Sequence, residues 1–265
     1  MGGTLDDALG EAYDKAARLL GLTVGGGGGP AVEALAEKGD PKAFVLPVPM
    51  QAKKDCNFSF AGLKNAFRLA VMSSIQKHQE EKAVLGQNGD GNEEGEGGST
   101  AEKCGASLPE EVKADLAASF QHTAIKHLED RVARAMDTMG RMYPPASGVE
   151  EGEGEGEGMG QDVGQSEARA LAVVGGVAAN REIRRRLQAL CDSRPTPWTI
   201  VVPPAKLCTD NGVMVAWAGV ERIRAGMQNN PQGQGVYARL PLGRTVEDAA
   251  QETERIGRVT TLGKC

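Results

Sequence analysis

The chain has 265 residues, a formal net charge of −6, and only 4% aromatic residues within a hydrophobic content of 40%. That length buries a sizeable core in one or two domains, built mostly from aliphatic side chains and alanine. No run approaches the roughly 18 apolar residues of a membrane span, the start reads as neither a signal nor a transit peptide, and five widely spaced cysteines without a CxxC pair point to reduced thiols.

Taken from the start, Thr4 with Asp7 reads as a capping box with Asp in place of Glu. Leu5, Leu9, Ala12, Ala16, Leu19 and Leu20 keep helical spacing, so a helix is expected from that cap to Gly21. Asp7, Glu11 and Asp14 fall along one face of it, with Glu11 placed to pair with Lys15. The run Gly25–Gly29 is expected to be flexible and non-helical. Pro30 should open a helix over Ala31–Lys38, ended by Gly39-Asp40-Pro41. Phe44–Val48 reads as extended. A further helix is expected over Leu63–Gln79, preceded by Phe58 and Phe60, whose period-two spacing suits a core more than an RNA-stacking patch beside Lys53, Lys54 and Lys64.

Residues 84–107 are rich in Gly, Glu and Asn and read as a disordered acidic insert. Pro109–Met139 is the longest helical pattern, with a stripe through Leu116, Phe120, Ala124, Ile125, Leu128, Val132, Ala135 and Met136. His122 and His127 lie five residues apart, about 140° away from each other on a helix, so they do not form the i, i+4 pair of a helical metal site. Residues 146–167, with their alternating Gly-Glu run, read as a second disordered insert. Segments 88–102 and 149–167 carry 5 and 7 acidic residues and no basic ones. Without them 30 basic residues face 24 acidic ones, a balance of +6 that suits an RNA partner.

From Leu171 to Gly226 the pattern becomes strand, Gly-Gly turn, helix, strand, loop, helix. Leu171–Val174 and Thr199–Val202 are the expected strands, and both following loops should open at the carboxyl ends of neighbouring strands, where α/β sheets hold ligands. The first loop has Gly175 and Gly176, then Asn180 at a helix start. It reads either as a tight turn capped by Asn180 or as backbone approaching a ligand at a helix N-terminus. The second ends in Cys208-Thr209-Asp210-Asn211, ahead of the apolar positions Val213, Trp217, Val220 and Ile223. Asp210 reads as an N-cap or as a carboxylate ready for a metal, and spacing alone favours the cap.

Four stretches, in order, resemble the TsaD/Gcp family of tRNA N6-adenosine threonylcarbamoyltransferases. These are GTLDDALGEAYDKAARLLGL with GGPAVEALAEKGDP, PMQAKKDCNFSFAGLK, VVGGVAANREIR, and LCTDNGVMVAWAG. The Lys-Asp-Cys form of the second resembles the organellar branch, which implies a mitochondrial location, with the plastid as the alternative. VYARLPLG resembles the family's closing segment, so a partial domain is expected over 1–243, followed by a polar tail at 244–265.

The resemblance implies an α/β chain of the actin-like ATPase (ribonuclease H-like) fold, here the C-terminal lobe with a helical insertion and without the N-terminal lobe. It implies transfer of a threonylcarbamoyl group from threonylcarbamoyl-adenylate to N6 of adenosine 37 in tRNA. Asp14, Gly29, Glu33 and Asn180 match positions that hold the adenylate, and a homodimer is possible in such a family. Asp210 matches a ligand of one divalent metal ion, iron or zinc. The family's other metal ligands, two histidines in an HxxxH motif, have no counterpart among His78, His122 and His127. A truncated transferase is therefore expected, with a catalytically inactive, partner-binding fragment as the alternative.

Overall fold

Apolar residues at helical spacing, followed by a glycine, make the first helix, α1 (Leu9–Leu19). The computed structural model describes residues 2–22, 27–84, 104–143, 169–196, 198–209 and 212–226. They belong to two units, Met1–Asn211 and Gly212–Cys265. In the first unit α1 ends in a Schellman turn. The Leu22 N–H donates to Ala17 O at 2.9 Å, the Gly21 N–H to Arg18 O at 3.0 Å, and Gly21 takes φ +69°.

The start of α1 differs from the sequence expectation. Thr4 does not cap a helix: it forms a parallel bridge with Phe58, and its hydroxyl donates to Asp7 O at 2.6 Å. The Leu5 N–H donates to Phe58 O, and the Phe58 N–H to Gly3 O. Backbone groups taken by this pairing cannot join a helix, so α1 begins only at Leu9. Asp6 instead caps the third helix, α3 (Ala61–Val84). One carboxylate oxygen accepts from Phe60 N at 2.8 Å, and the other from Ser59 Oγ and Ala61 N.

The second helix, α2 (Gly28–Ala36), starts inside the glycine run expected to be non-helical. Its first turn is stabilised from a distance, because Asp14 Oδ1 accepts the Gly28 N–H at 2.6 Å. Gly28 is required there. A Cβ would lie 2.6 Å from Asp14 Cα and 2.8 Å from Ala17 Cβ, so only glycine lets α2 approach α1. Phe44–Val48 forms no strand; the Phe44 N–H is met by Ser119 Oγ at 3.1 Å.

The long helix α4 (Glu110–Met142) is the spine of this unit. Leu116 and Phe120 enter a cluster with Ala12, Leu20, Val32, Leu63 and Phe67, while Ile125 joins a second one with Ile183 and Leu187. Phe60 is 1% exposed and stacks with Phe58, as their spacing suggests. Of the acidic insert expected over 84–107, residues 85–103 lie outside the described residues, but Cys104–Ser107 form a 3-10 turn rather than a disordered end. The insert expected at 146–167 and the tail at 244–265 also lie outside them.

Strand β1 (Arg169–Ala172), helix α5 (Arg181–Asp192) and strand β2 (Trp198–Val201) form a parallel β-α-β unit. Arg169 pairs with Trp198 and Ala172 with Val201. Both strands begin slightly before the expected runs. Leu171, Val173 and Ile200 point to the α4–α5 cluster, which sets the pleat. The described part of the second unit is helix α6 (Gly212–Arg224). This α/β arrangement agrees with the expected fold class at the level of a helical chain with a small parallel sheet.

Candidate functional site

Because β1 and β2 run parallel, the loops after them leave from the same end of the sheet. The first holds Gly175, at φ +85°, and a 3-10 turn over Gly176–Ala179. A side chain built on Gly175 or Gly176 would meet nothing within 4 Å. The second holds a turn over Ala205–Leu207 and then buried Cys208. Arg184 of α5 ties the two together. Its Nε donates to Ala178 O, and a terminal nitrogen lies 3.8 Å from Cys208 Sγ. Sequence reading missed Arg184, one of three successive arginines on α5 with nothing local to single it out.

Helix α1 forms the floor. Gly10 and Asp14 are one turn apart on the same face. A Cβ on Gly10 would be 3.9 Å from Val177 of the Gly-Gly loop, and Asp14 accepts the first N–H of α2. The other Asp14 oxygen has no partner among the described residues. Gly29 follows in the same helical turn, and the space a side chain would take there is open. Glu33 lies one further turn along that face of α2. Its Oε1 accepts the Arg181 N–H at 2.7 Å, and Arg181 Nε is 3.6 Å away. Asp14, Gly29, Glu33 and Asn180 are thus joined through one α1–α2–α5 junction.

Asn180 is the N-cap of α5, as its position in the sequence suggests. Oδ1 accepts from Ile183 N at 2.9 Å and Nδ2 donates to Gln121 Oε1 at 3.0 Å. One Nδ2 hydrogen and one Oδ1 lone pair are left over. Gln121, buried on α4, was not singled out in the sequence; a polar residue inside a long apolar stripe is the signal that marks it. Beneath the junction Tyr13 is 2% exposed, and its hydroxyl has no partner among the described residues. Burial first, then Glu33 and Glu182, raises its pKa far above the phenol range, so the hydroxyl keeps its proton.

A cleft of ≈ 480 Å³ lies between α2, α4 and α5, lined by Glu33, Gln121, His122, Arg181, Arg186 and their neighbours. It takes Glu33 but not Asp14, Gly29 or Asn180. His122 Nδ1 sits 3.1 Å from Arg186, whose guanidinium is also paired with Glu129. Burial and then Arg186 hold His122 below its ordinary value. His127 stands edge-on to Phe58 and Phe60, with Nε2 accepting from Ser59 N at 3.4 Å. The two histidines thus have separate partners.

Asp210 lies outside the described residues. Among the described residues no three His, Cys, Asp or Glu side chains are grouped to hold a metal ion. These residues by themselves therefore do not fit the metal that the resemblance implies. No helix among them is long and apolar enough to cross a membrane.

The family model described as TsaD, tRNA N6-adenosine threonylcarbamoyltransferase, matches residues 1–217. A tRNA N6-adenosine threonylcarbamoyltransferase of Agrobacterium fabrum is 39% identical over 246 residues, which are 93% of this chain and 53% of the relative. An Arabidopsis thaliana protein named as a probable mitochondrial tRNA N6-adenosine threonylcarbamoyltransferase is 38% identical over 231 residues, 87% of this chain and 39% of the relative. A Paramagnetospirillum magneticum relative of the same enzyme name is 36% identical over 230 residues, 87% of this chain and 50% of its own length. The chain spans about half the length of the bacterial relatives and less of the plant one.

Proposed function

We propose that this chain, which belongs to the TsaD family, supplies the adenylate-binding face of a tRNA N6-adenosine threonylcarbamoyltransferase. In that reaction N6 of adenosine 37 in tRNA attacks the carbamoyl carbonyl of threonylcarbamoyl-adenylate. A C–N bond forms, the carbonyl–phosphate C–O bond breaks, AMP leaves, and the amine loses a proton. An anticodon loop suits the acceptor because its bases are unstacked and reachable.

The observation that supports this reading is the linked junction of Asp14, Gly29, Glu33 and Asn180. The unpaired oxygen of Asp14 is suited to accept from ribose hydroxyls. The bare surface of Gly29 lets a flat nucleoside lie against α2. Asn180 can add one donor and one acceptor, with Gln121 holding its amide in place. The open Gly175–Gly176 backbone suits the phosphate.

Asp210 is assigned as one ligand of a divalent metal, iron or zinc. One carboxylate does not complete a site, so such a metal takes its other ligands from outside the described residues. A mitochondrial location is proposed on the name of the Arabidopsis relative. A fluorescent fusion of the native full-length gene product checks it, and fluorescence confined to plastids would decide for the alternative.

Calorimetric titration of the whole chain with threonylcarbamoyl-adenylate tests the assignment, with AMP as the stable comparison. Asp14→Asn is expected to weaken binding by roughly tenfold to a hundredfold through loss of charge-assisted hydrogen bonds. Gly29→Val should abolish detectable binding while the protein stays folded, since nothing lies within 4 Å of its Cβ. Unchanged affinity in both variants, or no binding by the unaltered chain, would overturn the reading.

A further inference from the structure

The groove between α1 and α3 takes no part in the adenylate junction. Its volume is ≈ 410 Å³, and Lys15, Arg18, Lys64, Asn65 and Arg68 line it together with Leu19 and Ala61. Lys15 and Arg18 are i, i+3 on α1. Ala61, Lys64, Asn65 and Arg68 are i, i+3, i+4 and i+7 on α3. Each helix therefore turns one basic face toward the other. Four cations line the groove and no carboxylate does.

Like charges facing across a groove repel, so the arrangement needs a counter-charge. Asp7 supplies part of it: Lys15 Nζ is 2.7 Å from Asp7 Oδ2, and Lys64 contacts the same oxygen. Glu11 takes Lys15 as well, at 3.0 Å. Arg18 and Arg68 are exposed, and neither makes an ion pair among the described residues. The lysines are thus held in place, while two guanidiniums present free forks, the geometry that suits phosphate oxygens. From Ala61 to Arg68 the basic face extends about 10 Å along α3, long enough for successive phosphates rather than a single one.

We propose that this groove binds the phosphodiester backbone of RNA. The assignment rests on the tRNA-directed reading above and adds to it a second contact area outside the adenylate site. Arg18 and Arg68 carry the electrostatic attraction, and Asp7 orients Lys15 and Lys64 beside them.

Binding of a labelled, unmodified tRNA anticodon stem-loop to the whole chain, over a series of KCl concentrations, tests the groove. In R18Q/R68Q, affinity at moderate salt should fall by roughly tenfold, and the slope of log affinity against log salt should become shallower by about 1.5, two contacts' worth. R18K/R68K should keep the slope, which separates charge from fold. Thermal melting of each variant checks that the fold is kept. Gly29→Val should bind RNA normally, because it touches only the adenylate junction. If the unaltered chain binds the stem-loop and R18Q/R68Q matches it in affinity and slope, the groove assignment is wrong while the transferase reading stands. If inorganic phosphate at constant ionic strength displaces the stem-loop, the groove is a small-anion site and the RNA assignment fails. If the unaltered chain binds no RNA, the groove assignment fails, and the adenylate titration decides the transferase reading separately.

Discussion

Gly28 and Gly29 are chemically identical neighbours with opposite tolerances. A Cβ on Gly28 meets Asp14 Cα and Ala17 Cβ at 2.6 and 2.8 Å, whereas one on Gly29 meets nothing within 4 Å. Gly28→Ala must push α2 off α1 and is expected to cost about 1–3 kcal/mol. Gly29→Ala removes backbone freedom from the unfolded chain without a clash and should stabilise by about 0.5 kcal/mol. Urea unfolding of the two variants side by side checks this; equal effects would mean that α1 and α2 do not approach as described. The run of glycines is plain in the sequence, but which of them faces a neighbour is not. Only the packing of α2 on α1 assigns that.

Helix ends show the same limit at the scale of elements. Local signals succeed where the cap is local: Gly21 closes α1 and Asn180 opens α5. They fail where the cap comes from elsewhere, as with Asp14 on α2 and Asp6 on α3. Burial alone would raise the Asp6 pKa, but its bonds from Ser59, Phe60 and Ala61 together bring it below the ordinary carboxylate value. Asp6→Ala removes these acceptors and is expected to cost about 1–2 kcal/mol, read as a lower urea midpoint with an unchanged slope. A midpoint equal to the unaltered chain would show that α3 needs no cap from the N-terminal segment.

For the whole molecule, the buried histidine gives stability a dependence on pH. His127 is 0% exposed, packed on Phe58 and Phe60, with Arg131, Asp130 and Asp6 as its charged surroundings. Burial first, then Arg131, holds it below its ordinary value near 6.5. The unfolded chain therefore takes up this proton more readily than the folded one. Stability is full above about pH 6.5 and falls as pH drops below that value toward the folded one. His122 is depressed in the same direction and adds to the fall. Melting temperature followed downward from neutral pH should decline, and His127→Gln, which cannot titrate, should flatten the decline. A melting temperature that rises on acidification would contradict the buried, neutral His127.

The amino-acid sequence by itself determined the features that depend on near neighbours: the helices with regular apolar spacing, the strand–Gly-Gly–helix–strand order, the Glu11–Lys15 pair, and the ordered family motifs. The structure decided what depends on residues far apart in the chain. Thr4 and Leu5 lost their helix to pairing with Phe58, and Gly28 gained one through Asp14. Likewise, Asp14, Glu33 and Asn180 can be named from their motifs, but their union depends on Glu33 reaching the Arg181 N–H across 148 positions of sequence. Periodicity encodes which face of an element is apolar. It does not encode which distant backbone group will meet a given side chain, because that follows from helix packing and from the need to pair every buried donor and acceptor.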